Sequence, residues 1–396
     1  MNQFITPFKG LHPKPEYVND VIAPPYDVVT RAEAKVLAKN RPNHFLHVTH
    51  AEIDLPDEVD EYADAVYQQA DKNFQALLQK NILVQDNRDC FYVYQLQQGT
   101  HVQTGVLAKV SCTAYEKGLV RKHELTRPDK VLDRRKHIEA LRAQVSPTLL
   151  TCKKDAALTA LLAELIEAEP LFAVNDAQGV QHRIWRIQDP VRVGKISNCF
   201  NQHAVIYIAD GHHRNEAAYQ AYTRHPEYRD CLAGIFPEDE LSILGYHRMV
   251  KTLNGETQKS FIDKLKPNFT ISLLDELNYP ERKGDIMLYL KGQAYLLRSL
   301  DADTQMDVDK LSDLILSPIL SIVDIRKDKN ITFVGGKDAR DTIKTQVDSG
   351  NWAAGFLMYP TSMQELLYTA DANQIMPPKS TWFEPKLADG LVSYLF

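Results

Sequence analysis

Cysteine is scarce in this chain: five among 396 residues, at Cys90, Cys112, Cys152, Cys199 and Cys231, with no CxxC pair. An odd, scattered set of this kind excludes a disulfide framework and a clustered zinc-finger site, and points to reduced thiols. Long apolar runs are missing too. No stretch approaches the roughly 18 residues of a membrane helix, and the opening MNQFITPFKG lacks a charged-then-apolar secretion signal. The expected compartment is therefore the cytoplasm, with no membrane partner. Positive charge is not in excess, since 46 Lys and Arg face 52 Asp and Glu for a net −6. General nucleic-acid binding rests on phosphate neutralisation and is not expected here. Phosphate-loop, GxGxxG, GxSxG and HExxH signatures are also lacking.

What is present is ordinary globular material, 44% hydrophobic and 25% charged, enough for two domains. Thr30 with Glu33 reads as a capping box for a helix over Arg31–Asn40. Helical periods run over Val59–Lys80, Ala156–Glu167, Lys259–Leu265 and Val308–Ile319. Strand signals fall at Cys90–Leu96 and Gln103–Val110, which suggest a hairpin, and at Gln181–Ile187 and Ala204–Ile208. Further short strands are expected at Ile286–Leu290, Ala294–Leu297, Ile331–Val334 and Gly355–Met358. The mixture predicts an α+β (mixed α/β) fold in two parts, 1–240 and 241–396.

The most informative segment is Asp210-Gly211-His212-His213-Arg214, where the buried-looking VIYI run stops at a glycine and a helix is expected from Asn215. A strand–glycine–helix junction aims backbone N–H groups and the positive helix end at one spot. Gly211 permits close approach by a ligand. His212, His213 and Arg214 suit a phosphate, and Asp210 could hold Mg2+. The bland alternative is a tight turn whose polar groups satisfy the backbone.

A second charged stretch, Lys122 to His137, contains Glu124 as a candidate base and Arg127 and Lys130 as candidate phosphate clamps. Pro128 argues that its first half is a loop, whereas a solvated helix face is the usual reading of such a run. Asp27 follows Pro24-Pro25-Tyr26 where the chain leaves an expected extended piece. The tail 376–386 (MPPKSTWFEPK) is too proline-rich for regular structure yet too aromatic to fray.

Blocks at 7–13 (PFKGLHP), 21–29 (VIAPPYDVV), 44–56, 122–134, 207–214 (YIADGHHR), 236–255, 333–336 (FVGG) and 376–386 together resemble the DUF1015 family, over almost the whole chain. The DGHHR block also resembles the phosphate-binding signature of the ParB/sulfiredoxin-like fold, which includes free-serine kinases of the SerK type. That resemblance implies a ParB/sulfiredoxin-like core elaborated with insertions. In it Gly211, His212, His213 and Arg214 would cradle nucleotide phosphates, Asp210 would lie near a metal, and an early carboxylate, here Asp27, would act as base. The function so implied is phosphoryl transfer from ATP or ADP with Mg2+ to a small molecule, L-serine first. A nucleotide-binding switch without turnover is an alternative, as is a metal-dependent hydrolase built on Asp210, His212 and His213.

Overall fold

The computed structural model describes residues 4–300 and 306–396. The chain forms two compact units, one running to Leu241 and joined by Pro385–Phe396, the other Ser242–Glu384. The expected second part, 241–396, thus gives up its last segment. The reason is pairing: Ser393–Leu395 lies between Gly10–Pro13 and Ala143–Gln144 in a small sheet of the first unit.

A nine-stranded mixed sheet organises the first unit. Its hairpin is Phe91–Gln98 with His101–Ser111, antiparallel, close to the expected bounds. The strand Ile206–Asp210 pairs antiparallel with Thr148–Cys152 and parallel with Val120–Arg121. Asp230–Pro237 runs parallel to Thr148–Cys152 and antiparallel to His101–Ser111. Strand alternation sends Ile206 and Ile208 into one core with Val93, Val106 and Ile235, roofed by Leu158, Leu162, Ile196 and Phe200 of the helices Ala156–Leu165 and Pro190–Asn201. Around Ala217, Ala218 and Ala221, small side chains let the helices Pro128–Leu141 and His212–Arg224 pack closely. Burial of this kind stabilises by roughly 25 cal/mol per Å² of apolar surface.

The second unit is built on a six-stranded antiparallel sheet. Where one helix was expected over Val308–Ile319, an α-turn at Asp307–Leu311 runs into a π-turn at Ser312–Leu316. The architecture is mixed α/β throughout. Among the described residues no helix is long and apolar enough to cross a membrane, and all five cysteines are free thiols.

Candidate functional site

The strand Ile206–Asp210 does end at the glycine, but the helix opens three residues earlier than expected, at His212. Gly211 is its N-cap, with φ +92° and no side-chain cap. His212, His213 and Arg214 therefore form the first turn, where backbone N–H groups have no intrahelical acceptor. The register shifts between Ile208 and Asp210, a bulge that re-aims the last strand residue at the junction.

Arg214 is buried; both terminal nitrogens of its guanidinium meet protein groups, while Nε has no hydrogen-bond partner among the described residues. One terminal nitrogen donates to the Pro147 carbonyl at 2.6 Å, the other to Asp210 Oδ2 at 3.0 Å, with Asp27 Oδ2 3.6 Å away. Burial opposes its charge, but Asp27 and Asp210 outweigh that and raise its pKa. Beside it is a cavity of about 30 Å³, lined by Arg134, Gln144 and Ser146 among others, room for water and not for a nucleotide. The expected phosphate clamp is thus the centre of an internal charge cluster, because a buried guanidinium must be neutralised locally.

Asp210 faces two cations, Arg214 and Lys386, the latter at 3.4 Å. Burial would raise its carboxyl, yet Lys386 and Arg214 hold it well below the usual range. A carboxylate already shared by two cations is a poor protein ligand for Mg2+, so these residues do not fit the metal role expected of Asp210. Asp27 sits on a short 3-10 turn, Tyr26–Val28, with its side chain partly exposed. Tyr26 anchors that turn. Its ring carries the Arg134 guanidinium 4.0 Å from the centroid and its carbonyl accepts from His50 Nε2 at 2.7 Å.

The returning tail closes the wall. Ala23 and Asp389 exchange two backbone hydrogen bonds, at 3.2 and 2.9 Å. The Asp389 side chain is fully buried, with the Ser146 hydroxyl as its neutral polar neighbour. Burial pushes its carboxyl up to about 7, with Arg214 pulling down by less and Asp27 adding to the rise. Lys386, Asp389 and Arg134 escape sequence reasoning, since no local signal announces that the tail returns to Asp210.

The 122–127 loop does reach the junction. The amide of His123 donates to His212 Nε2 at 3.4 Å, and that of Arg127 to His213 Nε2 at 3.0 Å. The His123 and His212 rings meet edge to face, centroids 4.4 Å apart. Burial keeps both neutral, lowering His123 to about 4 and His212 well below its usual value. Glu124 joins them, its carboxylate within 4.8 Å of a nitrogen of each. The expected clamps are directed elsewhere. Arg127 pairs with Asp129 in solvent, and Lys130 bonds the Tyr62 hydroxyl. Pro128 begins a helix instead of lying in a loop, which suits proline at a first helical position. The metal set expected for a hydrolase also separates, because His213 serves Arg127 and Asp210 serves Arg214 and Lys386.

Comparison with known proteins gives distant likenesses. A conserved hypothetical protein from Pyrococcus furiosus shares 12% identity and a TM-score of 0.37, covering 72% of this chain and 93% of its own. A free serine kinase in complex with AMP shares 10% and 0.37, covering 70% and 86%. SbnI from Staphylococcus aureus, truncated at its C-terminus, shares 12% and 0.38, covering 72% and 86%. No curated protein matches the sequence. The family model described as a protein of unknown function matches residues 5–319, and the chain belongs to that family, DUF1015.

Proposed function

We propose that this protein is a nucleotide-dependent phosphotransferase that moves a phosphoryl group from ATP or ADP to the hydroxyl of a small molecule, with free L-serine the first acceptor to test. The observation that carries this reading is the pairing of a partly exposed carboxylate, Asp27, with the capless first turn at Gly211–Arg214, held together through Arg214 at 3.6 and 3.0 Å. Phosphoryl transfer asks little covalent work of a protein: donors for the phosphate oxygens and a base for the attacking hydroxyl. The amides of His212 and His213 would take phosphate oxygens, favoured by the positive helix end. Asp27 would accept the proton as the acceptor oxygen bonds to phosphorus and the bond to the departing nucleotide breaks. Arg214, 3.6 Å from the Asp27 carboxylate, orients it, a positioning role. The resemblance of the DGHHR block to a phosphate-binding signature supports the same assignment. Mg2+ has no evident protein ligand in Asp210, and no step here depends on one.

The test is direct. Purified protein is incubated with ATP, ADP and a pool of metabolites, and products are read by mass spectrometry alongside thermal stabilisation by each nucleotide. Phosphoserine or another phosphorylated hydroxyl compound, formed only with nucleotide, supports the proposal. Stabilisation without acceptor-dependent turnover favours a nucleotide switch, and neither effect removes the reading.

A further inference from the structure

The cluster of His123, Glu124 and His212 has a chemistry that the phosphotransferase reading does not use. Two neutral imidazoles and one carboxylate form a nitrogen-rich donor set, which suits zinc, cobalt or manganese better than magnesium or calcium. Their donor atoms all lie within 4.8 Å of one another. Bonds of about 2.0–2.2 Å to a common ion put tetrahedral ligands about 3.3–3.6 Å apart, so modest side-chain rotation closes the set. Both histidines are almost fully buried, and Glu124 is half-buried, so the donors converge in one partly enclosed place.

The two elements that carry these donors are also tied to each other. Amides at both ends of the 122–127 loop, those of His123 and Arg127, donate to rings of the helix's first turn. The Arg127 bond, at 3.0 Å, pins the loop onto the helix without engaging a proposed ligand atom, so ligands from both elements arrive pre-positioned. The His123 amide contact to His212 Nε2, at 3.4 Å, lies beyond the usual N–H···acceptor range. An ion would replace it with a stronger bond.

We propose that His123, Glu124 and His212 bind one divalent transition-metal ion per chain, leaving coordination positions open at the first turn of the His212–Arg224 helix. Three protein ligands with an open position are the arrangement of catalytic rather than structural zinc sites. A water or an anionic oxygen would complete the shell there. The assignment stands apart from the phosphotransferase reading, because ion binding is measured with no nucleotide present.

Full-length protein, stripped with chelator, is titrated with Co2+ followed by absorption and with Zn2+ in competition, and the bound metal is counted by mass spectrometry. The proposal expects one ion per chain and a tetrahedral or five-coordinate cobalt spectrum. Glu124→Gln, a half-buried change that spares the fold, should weaken Zn2+ by more than the about 10–100-fold lost with an outer-shell partner. His123→Ala and His212→Ala should abolish the cobalt spectrum while circular dichroism confirms folding. If either histidine variant fails to fold, Glu124→Gln decides the matter. No binding by the wild type overturns the proposal. So does a wild-type site whose affinity and spectrum survive Glu124→Gln, since the ion then sits on other histidines.

Discussion

Lys386 places its ammonium 3.4 Å from the carboxylate of Asp210, a residue 176 positions earlier in the chain. Through this contact the last segment becomes part of the candidate site. Lys386→Met keeps the length and apolar stem of the side chain and removes only the charge. Asp210 then has Arg214 alone against its burial, and its carboxyl rises toward the ordinary range. Because the folded-state pKa of Asp210 is depressed, it contributes stability above about pH 4 that is lost on acidification. The variant should lose about 1 kcal/mol at pH 7, the modest figure for a partly exposed pair, in urea denaturation with an unchanged slope. Unchanged stability would mean that the ion pair does not form in solution.

Asp389 gives the opposite pH signature. Its folded-state pKa is raised to about 7, so between about pH 4 and 7 the folded protein keeps a proton that the unfolded chain has released. Its contribution to stability is therefore full below about pH 4 and declines as pH climbs to about 7. Arg214, Arg134, Asp27 and the Ser146 hydroxyl are the groups that act on it. Asp389→Asn removes the decline, so the variant should gain on wild type by a few kcal/mol between pH 5 and pH 8. Buried neutral histidines such as His137, lowered to about 4, work the other way and make both proteins less stable in acid. The difference between the two proteins cancels them. A difference that stays flat with pH would show that Asp389 is ionised throughout.

Much of the frame was legible because its signals are local. The Thr30–Glu33 capping box is present and opens a helix at Arg31, and Gln181–Ile187 forms a strand with the expected bounds. Local chemistry misled where one residue type serves two purposes. Pro128 reads as a loop residue but starts a helix, and Gly211-His212-His213 reads as a turn although the histidines are already helical. The helix Pro190–Asn201 buries only Ile196 and Phe200, too thin a stripe to register as a period. The site was half legible. The junction and its loop follow from sequence, but the commitment of Arg214 to Asp210 and Asp27, and the arrival of Lys386 and Asp389, depend on contacts far apart in the chain.

Gly211→Ala probes the junction itself. Gly211 holds φ +92°, and an added Cβ would lie 2.9 Å from Arg214 Nε. Gly118 has φ +70° with nothing within 4 Å of an added Cβ, so Gly118→Ala reports backbone strain alone, about 1–2 kcal/mol. Gly211→Ala should cost more than that control, because the buried guanidinium must shift off its two acceptors, the Pro147 carbonyl and Asp210. Thermal melts of both variants give the comparison. Equal losses would mean that Arg214 gives way freely and does not lock the junction.

The phosphotransferase reading makes its sharpest demand on Asp27. Arg214→Ala is a poor probe, since it leaves Asp210 with Lys386 alone, takes a cation from beside buried Asp389 and should cost about 3–5 kcal/mol of stability. His213→Ala is better: it alters the face where the phosphate would sit, away from the buried charges. It keeps the His213 amide but removes the ring acceptor that holds the Arg127 amide beside that turn, and should weaken nucleotide binding about 5–10-fold, the value of one neutral hydrogen bond, read by titration calorimetry. Asp27→Asn should leave that binding nearly intact and slow phosphoryl transfer by about 10²–10⁴-fold, the usual share of a general base. The split arises because Asp27 would touch the acceptor hydroxyl while His213 faces the nucleotide. If Asp27→Asn turns over at the wild-type rate, Glu124 becomes the base to examine. If Glu124→Gln is then also fully active, base catalysis by either carboxylate is excluded and the proposed mechanism with it.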